Sequence, residues 1–117
     1  MENSYHKLIV WMRLKELLVI TYKLVNQLPK SEEFGLKSQM KRAIVSVLSN
    51  FVEGYLKSSR KEKAYYMETA ETSLMELKAQ GEICLLLNFW SESDLERFEN
   101  KRKECAYLLY RYKAKVV

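Results

Sequence analysis

The sequence predicts an all-α protein, an up-down-up-down antiparallel four-helix bundle, and three observations predict it. Of the 117 residues 48% are hydrophobic, too apolar for a disordered chain. Only three glycines and one proline are present, too few turn residues for an all-β fold. Four stretches repeat their apolar residues every three or four positions and are joined by short breaks, the pattern of an antiparallel bundle. At this length one domain, residues 1–117, is expected.

The first helix is expected from about Tyr5 to Leu28, with Leu14, Leu17, Leu18, Thr21, Leu24, Val25 and Leu28 as its inner stripe. Pro29 stops it, and Pro29 to Gly35 read as a loop. The second, from about Leu36 to Tyr55, has the cleanest stripe: Leu36, Met40, Ala43, Ile44, Val47, Leu48, Phe51 and Tyr55. Ser59-Arg60-Lys61-Glu62 has the form of a capping box and opens a third helix to about Phe89. Its apolar positions are Tyr66, Ala70, Leu74, Leu77, Cys84 and Leu87. Ser91-Glu92-Ser93-Asp94 is a weaker start signal for the fourth helix, with Leu95, Phe98, Cys105, Leu109, Tyr112 and Val116 inward. Gly81 interrupts helix three; it either permits close helix approach or is merely tolerated, at about 1 kcal/mol against alanine.

Several function classes are set aside at this level. Arg13, Lys15 and Glu16 break the longest apolar run, so no membrane span is expected. No signal peptide is visible, and a cytoplasmic location is expected. One His and two Cys make no zinc set, and neither a metal nor another cofactor is expected. In a hairpin turning near residue 90, Cys84 and Cys105 are offset by nine residues, or about 13 Å along the axis. A disulfide tolerates about 7 Å, so both are expected to be reduced core residues.

The net charge is +5, and its distribution carries more than its total. Residues 1–15, 53–63 and 104–117 meet at one end of such a bundle, and each segment carries a net +2. The opposite end, residues 23–42 and 76–99, sums to −1. The candidate nucleic-acid-binding residues are therefore Lys7, Arg13, Lys57, Arg60, Lys61, Lys63, Arg111, Lys113 and Lys115. Seven of the eight tyrosines (Tyr5, Tyr55, Tyr65, Tyr66, Tyr107, Tyr110 and Tyr112) fall near that same end. Cations beside aromatic rings suit phosphates and unpaired bases. Tyrosines that pack the last layer with their hydroxyls in water are the rival reading.

Helix one also carries Leu8, Val10, Trp11, Met12, Val19 and Ile20 outside its inner stripe. They form either a second buried surface, which implies self-association, or surface hydrophobics scattered singly.

Helix two carries a spaced motif: Phe34-Gly35-Leu36, Gln39, Arg42-Ala43, Ser46, Asn50 and Glu53-Gly54. Leu28-Pro29-Lys30 and Glu33 precede it, and Ala70, Ser73, Glu76 and Leu77 follow on helix three. With these residues the chain resembles the bacterial four-helix-bundle proteins encoded in intervening sequences of 23S rRNA genes. The next-nearest resemblance is to the accessory variability determinant of diversity-generating retroelements. Thr72 and Gly81 depart from the pattern, which has glycine and leucine there, and leave helix packing near those turns open. The resemblance implies a homopentameric barrel.

The motif also has a reading of its own. Arg42, Ser46, Asn50 and Glu53 form a polar line on helix two, and Ser73 and Glu76 a shorter one on helix three. If the lines face each other, Arg42 pairs with Glu76 and the motif is structural; a ligand or catalytic site on the same residues is the alternative. No nucleophile–base pair or phosphate loop accompanies them, so no enzyme is expected.

These readings lead to a non-enzymatic, homo-oligomeric accessory protein that binds nucleic acid, RNA favoured, through a basic tyrosine-rich end. The alternative is a protein-docking scaffold or an accessory subunit of a reverse transcriptase.

Overall fold

The computed structural model describes residues 4–117. Glu2, counted above in the charge of the first segment, lies outside the described residues. Four helices follow one another: α1 (Ile9–Val25), α2 (Leu36–Leu56), α3 (Arg60–Leu86) and α4 (Glu92–Val116). α1 packs on α2 and α4, and α3 packs on the same two, so α1 and α3 sit at opposite corners of a square. The bundle is elongated, 45 × 24 × 23 Å.

α1 begins four residues later than the apolar period suggests. Ser4 caps a single 3-10 turn, Tyr5–Lys7, by accepting a hydrogen bond from the His6 backbone N–H. The chain then extends at Leu8 before α1 starts. That break lets the Tyr5 ring fold back onto Trp11 (4.9 Å between centroids) and Tyr55 (5.9 Å). α1 ends at Val25, and Leu28 is buried beyond it in the turn that leads to Pro29. The loop to α2 holds another 3-10 turn, Lys30–Glu32, and the Glu32 carboxylate accepts from the first α2 amide, Leu36 N, at 3.1 Å.

Both serine start signals hold, with their strengths reversed. Ser91 and Asp94 form the reciprocal box: Asp94 N donates to Ser91 Oγ (3.0 Å) and Ser91 N to Asp94 Oδ2 (3.1 Å). At Ser59 the Glu62 amide donates to Ser59 Oγ (3.0 Å), but the Glu62 carboxylate takes the serine hydroxyl instead of the backbone. The α3–α4 corner turns through Asn88, whose φ of 62° is the left-handed conformation common just past a helix end.

The core follows the expected stripes closely in α1 and α2, except that Val10, expected outside the inner stripe of helix one, is buried in it. Two positions differ in α3. Met67 is fully buried where Tyr66 is only half-buried, and Leu87 is 53% exposed because the helix has ended at Leu86. Gly81 sits at a close helix approach: a Cβ there would stand 3.1 Å from Leu95 Cδ1 and 3.2 Å from Phe98 Cε2. Gly54 does the same between α2 and α3, where a Cβ would meet Met67 Cε at 2.6 Å and Tyr66 Cβ at 3.0 Å. Cys84 and Cys105 are free and buried, and burial pushes both thiols up to about 12, so they stay protonated at neutral pH. Among the described residues no helix is long and apolar enough to cross a membrane.

Candidate nucleic-acid interface

The polar motif divides in two. Ser46, Asn50 and Ser73 come together between α2 and α3: Ser46 Oγ lies 3.0 Å from Ser73 Oγ. Asn50 Nδ2 donates to Ser46 O at 2.8 Å and to Ser46 Oγ at 3.0 Å. These bonds satisfy polar groups at a helix–helix contact, with Ser73 buried. Arg42, Glu53 and Glu76 instead stand exposed. The expected Arg42–Glu76 ion pair does not form, because both side chains lie outside the α2–α3 contact, where water solvates them at little cost. Gly54 is buried at the close approach already described.

The topology brings the three basic segments to one end, and local packing then sorts their cations. Arg13 lies within the α1–α4 face, not at the end, and pairs with Glu16 (2.9 Å) and Glu104 (3.2 Å). Lys101 closes that network at 2.7 Å from Glu16 and 2.8 Å from Glu104. Its hydrogen bonds hold both carboxyls below the ordinary range. Lys113 pairs with Glu71 on α3 at 2.9 Å, a hydrogen bond that raises the lysine's pKa. Lys63 donates to the terminal α2 carbonyls of Gly54 (3.2 Å) and Tyr55 (2.9 Å), where a cation suits the helix C-terminus. Lys57 is half-buried with its ammonium 5.5 Å from the Tyr66 ring centroid.

Of the nine candidate cations, five are left for solvent. Lys7, Arg60, Lys61, Arg111 and Lys115 are exposed and pair with no acidic side chain among the described residues. Arg111 is held by Tyr107: its Nη1 donates to the phenol oxygen at 2.7 Å, and its guanidinium lies 5.6 Å from the ring centroid.

The tyrosines sort as well. Tyr5 and Tyr55 join Trp11 and Phe51 in one aromatic cluster, and Tyr112 packs on Phe51 at 5.3 Å. These serve the last bundle layer. Tyr65, Tyr107 and Tyr110 are more than half exposed and do not.

The end is also stepped. Lys113 on α4 is level with Glu71 on α3, while Arg60 precedes Glu71 by eleven residues, about 16 Å farther along the axis. Arg60 and Lys61 thus stand at the tip of an α2–α3 hairpin that projects past the α4 cations.

One feature of the surface goes beyond the charge count. Lys103, Tyr107, Arg111 and Lys115 recur every four residues and form an exposed row along α4. The four-residue period of cation and ring was the signal in the sequence; summing charge by segment hides it.

Fold and motif together define a small helical-bundle protein in which Ser46, Asn50 and Ser73 of the polar motif are used between α2 and α3 and a group of exposed cations lies at one end. The family model of the 23S rRNA-intervening sequence protein matches residues 6–111, and the chain belongs to that family. The chain is also similar to a crystal structure from Bacteroides thetaiotaomicron, of a protein with unknown function from the S23 ribosomal protein family. That likeness has a TM-score of 0.83 at 20% identity and covers 91% of this chain and 96% of the other, which shows the shared fold. No curated protein matches the chain.

Proposed function

We propose that this protein is a non-enzymatic, self-associating accessory protein that binds nucleic acid, RNA favoured, through its stepped basic end. The observation that carries the reading is the set of exposed cations, Lys7, Arg60, Lys61, Arg111 and Lys115, beside the exposed rings of Tyr65, Tyr107 and Tyr110. Cations already committed to carboxylates or carbonyls have little left for phosphates, and these five are not so committed. RNA is favoured because the family takes its name from sequences that interrupt 23S rRNA. The use of Ser46, Asn50 and Ser73 in helix packing supports a non-catalytic role for the motif.

Binding to a structured RNA should weaken steeply as salt rises. Arg60→Ala/Lys61→Ala should lower affinity for every sequence alike and reduce the salt slope by about two. An electrophoretic titration of wild type and variant at two salt concentrations reads both. Absence of wild-type binding at low salt would refute the reading.

Self-association is supported by two exposed apolar rows. α1 presents Met12 and Val19 outward, and α3 presents Met75, Ile83 and Leu86. Because α1 and α3 occupy opposite corners, the rows face away from each other. Two unlike patches on opposite sides suit head-to-tail contacts, which close into a ring when the rotation allows. Five subunits is the number the family resemblance implies. Light scattering should return a multiple of 13.9 kDa, fivefold for the pentamer, and a mass near 13.9 kDa removes the ring.

A further inference from the structure

A cleft of about 710 Å³ opens between the turn at Leu8–Ile9 and the last turns of α4. Its apolar side is made by Leu8 and Ile9, its aromatic side by Tyr107 and Tyr112, and its rim by Arg111 and Lys115. The cleft exists because the chain is extended at Leu8, which leaves α4 without a continuous helical neighbour there.

Three properties of this cleft limit what can occupy it. Two cations on one rim call for an anion. Tyr107 is more than half exposed, so its ring is available as a contact surface. Arg111 already holds that ring through the 2.7 Å bond to the phenol oxygen, and a guanidinium carries five N–H donors, so most remain free. A planar apolar group bearing a phosphate meets all three conditions, whereas a duplex keeps its bases stacked inside and offers only its backbone. Resting on the nucleic-acid reading above, we propose that the cleft receives one unpaired nucleotide of a single-stranded segment. The base lies against Tyr107 and Ile9, and the phosphate bridges Arg111 and Lys115.

The test uses the full chain and fluorescence anisotropy, with a labelled RNA of about ten nucleotides, single-stranded or annealed to its complement. Tyr107→Leu keeps the bulk and removes the ring; Tyr107→Phe keeps the ring and removes the hydroxyl. Tyr107 is exposed, and circular dichroism checks that each variant retains its helices. The single strand should bind Tyr107→Leu about tenfold or more weakly than wild type. It should bind Tyr107→Phe nearly as wild type does, and the duplex should bind all three alike. Ile9→Glu places a carboxylate in the cleft and should reproduce the selective loss for the single strand. Equal losses for both RNAs, or none for the single strand, overturn the cleft while leaving the charge-based reading standing. No binding of either RNA to wild type at low salt overturns both.

Discussion

Phe51→Ala is expected to lower stability by about 3–5 kcal/mol, among the largest effects of any single substitution in this chain. Phe51 is fully buried and lies where three helices meet: Trp11 of α1 stacks at 6.3 Å and Tyr112 of α4 meets it edge-on at 5.3 Å. Removing the ring leaves a void bordered by stiff aromatic neighbours that cannot collapse into it. For a domain of this size the melting temperature should fall by on the order of 10–20 °C, readable by circular dichroism. Tyr65→Ala, which removes an exposed ring at the same end, should stay within about 0.5 kcal/mol. Comparable losses at both sites would mean that the end is held by its surface rather than by Phe51.

The second large effect lies at a charge pair. Arg102 and Glu99, one turn apart on α4, have side chains only 5% and 14% exposed and are joined by two hydrogen bonds, one of 2.9 Å. Arg102→Met should cost about 3 kcal/mol, because it leaves a mostly buried carboxylate with no partner. Adding Glu99→Leu should restore most of that loss, since replacing both members of a buried pair with apolar groups is often near neutral. Urea denaturation of the two single variants and the double variant gives the coupling directly. Additive costs would show that water reaches the pair and screens it.

Helix locations were legible because an apolar stripe and a stop signal are local. Leu36 to Phe51 on α2 needs only a 3.6-residue period, and Ser59 and Ser91 mark helix starts at the very next residue. The start of α1 was not legible: it depends on Tyr5 reaching Trp11 and Tyr55, the latter a contact across fifty residues of chain. Arg102 escaped notice for a related reason. A charged residue in an apolar stripe reads as solvent-facing until its partner one turn away is seen to fold over it.

The candidate site was legible in location but not in membership. Topology alone brings Arg60 and Lys115 to one end, and charge counts by segment find it. Whether a lysine is free depends on what stands opposite it. Glu71 captures Lys113 from another helix, and the carbonyls of Gly54 and Tyr55 capture Lys63. Arg13 was assigned to the end by its number, yet its partners Glu16 and Glu104 place it along the flank.

The step between Arg60 and the α4 cations sets a mechanical condition on any ligand. A rod lying across the hairpin tip is held clear of Lys115 by a ledge about 13 Å high, roughly twice the reach of a lysine side chain. A strand that touches both levels has to turn sharply down the ledge. Under the proposed nucleic-acid binding, the cost of bending would act as a filter before any base is read: a stiff duplex would gain the tip alone, and a supple strand the tip and the wall.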